Sequence, residues 1–218
     1  MRFALIAVLL VPSLAVAESI KKQLDGNLDL VDASKLAEEL QVELRYATKN
    51  NFIGKNVYGD LDRCYLNRDA AAMLGEAQAE LMRSHPDLRL HVFDCARPAS
   101  VQVRMWDIVR GTPSSKYVAS PKTGSIHSYG CAVDLTVARA DGTPLDMGTP
   151  YDHFGQEAEP SIELKLLNDG VFTGDQIANR MILREVMLRA GFRVLLHEWW
   201  HFDCATQAET RKRYRQIP

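Results

Sequence analysis

The chain has 218 residues, with 26 basic and 28 acidic side chains and a formal net charge of −2. That near-neutral balance gives no electrostatic footprint for nucleic acid. No stretch beyond the first seventeen residues is apolar and long enough for a membrane-spanning helix. The length fits one domain with a sizeable core.

The first seventeen residues differ from the rest. Arg2 supplies a positive start, residues 3–11 are an apolar run, and Ala15-Val16-Ala17 is a small-x-small cleavage signal before Glu18. This reads as a secretory signal peptide cleaved after Ala17, leaving a single domain over 18–218. The run is too short to span roughly 30 Å of hydrocarbon. No cysteine sits beside the cleavage point, so no stable membrane anchor is expected. The expected location is periplasmic or secreted. The oligomeric state is left open.

Residues 33–40 read as a short helix, and 44–65, rich in Asn, Gly, Asp and Tyr, as loop. Asn67 is placed to cap a helix running to about residue 85, with Ala70, Leu74, Ala77 and Leu81 at three- and four-residue steps. Residues 88–93 read as a strand with Arg97 just past its end, and Pro98 suits the first turn of a helix to about residue 110. A loop rich in Gly, Pro, Ser and Lys covers 111–124. Residues 131–137 form a strand, followed by a hairpin-type turn at Asp141-Gly142. The polar segment 144–174 is long enough for a functional loop. Residues 176–190 are helical with Gly191 as the stop, and 192–202 is a final strand-like run. Helices and strands do not alternate as βαβ units. The fold class is therefore α+β, a mainly antiparallel central sheet flanked by helices.

Four cysteines, Cys64, Cys95, Cys131 and Cys204, would meet an oxidising compartment after export, which favours two disulfides. Four cysteines allow three pairings. None forms a CxxC pair, so a structural zinc site of four thiolates has no support in the spacing.

Two segments carry candidate chemistry: Ser125-Ile126-His127-Ser128-Tyr129-Gly130-Cys131-Ala132-Val133-Asp134, and Glu198-Trp199-Trp200-His201. A catalytic zinc site wants three protein ligands and one open position. His127 and Asp134 flank a turn at Tyr129-Gly130, and His201 comes from the last strand. Together they make a His/Asp/His set, with Glu198 three residues away to act on a metal-bound water. Taken singly, H-x6-D and E-x-x-H are weak signals, because a lone histidine is more often a hydrogen-bonded structural residue. Arg97, within Asp94-Cys95-Ala96-Arg97-Pro98, has two readings: an oxyanion stabiliser, or a structural ion pair with Asp94.

Taken jointly, these segments resemble the D-alanyl-D-alanine dipeptidases, the VanX-type branch of the zinc D,D-peptidases. The pattern S-x-H-x-x-G-x-A-x-D is met from Ser125 to Asp134, and E-W-W-H from Glu198 to His201. Leu44-Arg45-Tyr46-Ala47-Thr48 with Asn51-Phe52, and Met147-Gly148-Thr149 with Tyr151-Asp152, extend the likeness over most of 44–203. The resemblance implies the fold shared with D,D-carboxypeptidases and the hedgehog signalling domain. It implies one zinc ion per chain on His127, Asp134 and His201, with Glu198 as general acid/base and Arg97 stabilising the transition state. Asp152 is implied to receive the substrate's free ammonium group, and Tyr46 and Ser125 to line the substrate pocket. The implied reaction is hydrolysis of D-Ala-D-Ala to two D-alanines. Beside it stand a D,D- or L,D-carboxypeptidase acting on longer peptidoglycan peptides, which Asp152 opposes, and a non-catalytic zinc-containing cell-wall-binding module, which Glu198 and Arg97 oppose. Ala96 departs from the family, which usually has a larger or aromatic residue before the arginine. Cys95 and Cys131 lie close to the implied site; the favoured pairing is Cys64 with Cys95 and Cys131 with Cys204, bracing it.

Overall fold

A five-stranded mixed sheet organises the computed structural model, which describes residues 19–218; the expected signal peptide and its cleavage site lie outside the described residues. In chain order the elements are α1 (Ile20–Asp25), β1 (Leu30–Asp32), β2 (Gln41–Val42), β3 (Tyr65–Asn67), α2 (Arg68–Ser84), β4 (Leu88–Asp94), α3 (Ala99–Val109), β5 (Ala132–Arg139), α4 (Glu163–Asn168), α5 (Gly174–Arg189), β6 (Arg193–Leu195), β7 (Glu198–Asp203) and α6 (Gln207–Arg213). The sheet order is β2-β4-β5-β7-β6, antiparallel throughout except for the β2–β4 pair. A small antiparallel ribbon, β1 with β3, lies beside it. This is the expected α+β class with a mainly antiparallel sheet.

The helices form where the local chemistry favours them. Asn67 Oδ1 accepts the Ala70 N–H at 2.8 Å and caps α2, whose residues Ala70, Leu74, Ala77 and Leu81 are fully buried. Thr173 and Gln176 make a reciprocal capping box at the start of α5. Both helices pack against one face of the sheet, where Leu90, Val92, Val133, Leu135 and Val137 complete the core. Alternation along β5 therefore sends Asp134 and Thr136 to the opposite face. That face carries the candidate site.

Several segments differ from the sequence reading. Residues 33–40 are not a helix: a 3-10 turn at Ala33–Lys35 is followed by β2, which joins the sheet edge parallel to β4. The final run is two strands, β6 and β7, that fold back on each other antiparallel. The 144–174 segment includes α4 and two 3-10 turns. It is fastened by the buried Arg180 of α5, which donates to the carbonyls of Met147 (2.7 Å) and Glu157 (2.9 Å) and pairs with Glu163 (3.3 Å). Burying that guanidinium is tolerable because each of its nitrogens has an acceptor.

All four cysteines are paired, as Cys64–Cys95 and Cys131–Cys204. Among the described residues no helix is long and apolar enough to cross a membrane.

Candidate active site

The loop before β5 turns sharply at Gly130, whose φ is +61°. An added Cβ there would sit 2.7 Å from Leu30 Cδ2 and 2.9 Å from the Asn67 amide, so the turn has room only for glycine. Ser125 Oγ accepts the His127 N–H at 3.3 Å and opens a 3-10 turn, Ile126–Tyr129. The turn delivers His127 onto Asp134. β5 and β7 pair so that Asp134 stands opposite His201.

Three ligand atoms converge. His127 Nε2 lies 3.2 Å from Asp134 Oδ1 and 3.1 Å from His201 Nδ1, and His201 Nδ1 lies 2.9 Å from Asp134 Oδ1. All three residues are buried and placed to hold a metal ion. The remaining ring nitrogens are also occupied: His127 Nδ1 is 2.8 Å from the Cys95 carbonyl, and His201 Nε2 is 2.8 Å from Asp203 Oδ1. With a metal bound, each outer acceptor would take the N–H of its ring and leave the inner nitrogen's lone pair to the ion, the usual support of metal-binding histidines. Tyr151 donates to Asp134 Oδ2 at 2.9 Å. Burial alone would raise the Asp134 carboxyl, but the charge of His127 and hydrogen bonds from both imidazoles outweigh it and hold Asp134 well below the usual carboxylate range.

Around this set lies a cavity of about 260 Å³ whose wall includes Tyr46, Arg97, Ser125, Asp152 and Glu198. Every residue for which the resemblance implies a metal-binding, catalytic or substrate-binding role thus reaches one cleft. Burial pushes the Glu198 carboxyl up to about 8, against the lowering influence of His201 and with Asp134 adding to the rise. Arg97 does pair with Asp94, through Nε at 2.8 Å and through Nη2. Its Nη1 donates to Gln102 Oε1 at 3.0 Å, and Nη2 lies 3.6 Å from Asp134 Oδ2. The two readings of Arg97 are therefore compatible: the ion pair holds the guanidinium at the rim of the metal set. Ala96 is buried.

Asp152 sits in a left-handed conformation, φ +62°. Its carboxylate accepts the Tyr46 hydroxyl at 3.0 Å and the Phe52 N–H at 3.1 Å. Burial pushes it up to about 7, with the Phe52 hydrogen bond opposing and the charge of Asp134 reinforcing.

Four supporting residues were given no role in the sequence reading: Asp203 behind His201, Tyr151 against Asp134, and Tyr58 and Gln102 around the Asp94–Arg97 pair. Tyr58 donates to Asp94 Oδ1 at 2.6 Å. Asp203 had a signal, since a residue two places along a strand from a ligand shares its face. Tyr58 and Gln102 had none, being long-range partners.

A buried His/Asp/His set flanked by a carboxylate and an arginine in one cleft, on an α+β scaffold, defines a metallopeptidase. The chain belongs to the peptidase family M15 described as D-ala-D-ala dipeptidase, which matches residues 26–218. It is 32% identical over 178 residues to the D-alanyl-D-alanine dipeptidase of Escherichia coli (strain K12), covering 80% of this chain and 84% of that one. It is 30% identical over 180 residues to the D-alanyl-D-alanine dipeptidase of Enterococcus faecium, covering 73% and 83%. The protein of the same name from Streptomyces coelicolor is 28% identical over 200 residues, covering 81% and 91%.

Proposed function

We propose that the protein is an exported zinc dipeptidase that hydrolyses D-Ala-D-Ala to two D-alanines. The observation that carries this reading is Asp152, a half-buried carboxylate on the wall of the cavity that holds the His/Asp/His set. A carboxylate so placed pairs with a free α-ammonium group. An acylated nitrogen would leave that charge without a partner, so the cleft selects a peptide's free amino end. A cavity of about 260 Å³ also suits a small ligand.

The donor set fits zinc. In a tetrahedral site with bonds of about 2.0–2.1 Å, ligand atoms stand about 3.3 Å apart; here they stand 2.9–3.2 Å apart. His127, Asp134 and His201 would hold the zinc, which would supply polarisation of the scissile carbonyl and lower the pKa of a water to about 7. Glu198 takes the proton of the attacking water and passes it to the departing amine as the C–N bond breaks. Arg97 stabilises the oxyanion of the tetrahedral intermediate. Asp152 and Tyr46 hold the ammonium end, and Ser125 lines the pocket.

Export after cleavage at Ala17, leaving one catalytic domain over 18–218, is part of this reading. It is supported by two disulfides with no free cysteine among the described residues, a pattern of oxidising compartments.

The test is hydrolysis of D-Ala-D-Ala by the zinc-loaded protein, beside its N-acetylated form and the Glu198→Ala variant. Turnover of the free dipeptide alone, abolished by the substitution, is expected. Turnover of the blocked peptide would indicate a carboxypeptidase, and zinc binding without turnover a binding module.

A further inference from the structure

A free dipeptide is a zwitterion, and pairing its ammonium with Asp152 leaves its carboxylate to be placed. Three of the five Arg97 N–H groups serve Asp94 and Gln102, and the remaining two are those assigned above to the oxyanion. Lys116 also lines the cavity. It is exposed; its side chain interacts with that of Tyr117 and, at longer range, with the Glu159 carboxylate, with which it makes no close ion pair among the described residues. Its ammonium lies 4.7 Å from the Tyr117 ring centroid.

That ring belongs to a row. Tyr117 stacks on Phe154 with centroids 4.8 Å apart and planes 7° from parallel. Phe154 packs on Phe52 at 5.0 Å, and the Phe52 N–H holds Asp152. Three rings from three separate loops thus run from the carboxylate Asp152 to the cation Lys116. Asp152 and Lys116 both line the cavity that holds the His/Asp/His set.

We propose that Lys116 determines specificity at the other end of the substrate, its ammonium pairing with the C-terminal carboxylate. With Asp152 it makes the cleft read a zwitterion. This inference rests on the dipeptidase reading.

The experiment compares kcat and KM for D-Ala-D-Ala and for its C-terminal amide, using zinc-loaded wild type, Lys116→Ala, Lys116→Arg and His197→Ala. An exposed ion pair is worth a few-fold in affinity. Lys116→Ala is therefore expected to raise KM for the free dipeptide about five-fold with kcat nearly unchanged, and to leave KM for the amide as it is. Lys116→Arg should restore most of the loss. His197→Ala, which removes the other exposed lining side chain able to carry positive charge, should keep the preference for the free carboxylate. An unchanged KM in Lys116→Ala, or an equal rise for the amide, would overturn the proposal. So would transfer of the effect to His197→Ala. If wild type turns over neither substrate, the dipeptidase reading fails by itself. Calorimetric binding of the two peptides to Glu198→Gln, with and without Lys116→Ala, then decides the Lys116 pairing without catalysis.

Discussion

Asp134 on β5 and His201 on β7 are register partners across an antiparallel strand pair, and Asp134 Oδ1 lies 2.9 Å from His201 Nδ1. The strand ladder sets the two residues opposite each other. Three residues before Asp134 and three after His201 the same two strands are joined again by Cys131–Cys204, where the Cys204 N–H donates to the Cys131 carbonyl at 2.7 Å.

That disulfide should support both stability and the metal site. It closes a loop across 73 residues of sequence, for which loop-closure entropy gives about 4 kcal/mol. Changing Cys131 and Cys204 to serine is expected to lower the urea midpoint accordingly and to weaken zinc affinity. A variant with wild-type zinc affinity would show that the ladder alone holds the ligands.

Asp203 should tune the metal through His201. Its carboxylate accepts from Nε2 at 2.8 Å and orients the ring. Asp203→Asn is expected to weaken zinc binding by about 10–100-fold, read by competition with a chromophoric chelator.

On the proposed reading Arg97 combines a structural and a chemical role, and the two separate by measurement. Asp94 is fully buried and receives Arg97, Tyr58 and the Cys95 N–H. Arg97→Ala strands that carboxylate at a cost of about 3–5 kcal/mol, and kcat should fall about 10²–10³-fold. Arg97→Lys restores charge without the planar fork, so urea denaturation should show partial recovery of stability while kcat stays low.

Asp152 predicts a pH dependence of defined sign. Its carboxyl is pushed up to about 7, so protonation removes the ammonium partner and kcat/KM should fall as pH drops below about 7. Asp152→Asn should abolish that limb and raise KM at pH 8. Stability runs the other way. The ordinary value is about 3.9, so between about pH 4 and 7 the folded metal-free protein holds a proton that the unfolded chain does not. The contribution of Asp152 to stability therefore declines as pH rises through that window. Metal-free Asp152→Asn should gain melting temperature over wild type at pH 8 relative to pH 4.

The site was more legible in the sequence than the fold around it. His127, Asp134, Glu198 and His201 stand in two short motifs, and the cap at Asn67 and the stripe of α2 are local signals that packing left intact. The β6–β7 turn was hidden because residues 194–200 contain no Gly, Pro, Asn or Asp to mark it. The helical periodicity of 33–40 yielded to tertiary pairing, since β2 completes the sheet edge beside β4 and Glu39 takes a left-handed conformation, φ +55°. The anchoring of the 144–163 segment by Arg180, and of Arg97 by Asp94 with Tyr58 and Gln102, depends on side chains brought together only by the fold.

The most direct measurement is calorimetric titration of zinc into the metal-free protein, for wild type and for His127→Ala, Asp134→Ala and His201→Ala, with folding of each checked by circular dichroism. One zinc per chain, bound tightly by wild type and lost or greatly weakened in all three folded variants, is the expected result. A folded variant that binds zinc as wild type does would contradict the assignment of that residue as a ligand. Wild-type binding at a different stoichiometry, indifferent to all three substitutions, would contradict the metal site as a whole.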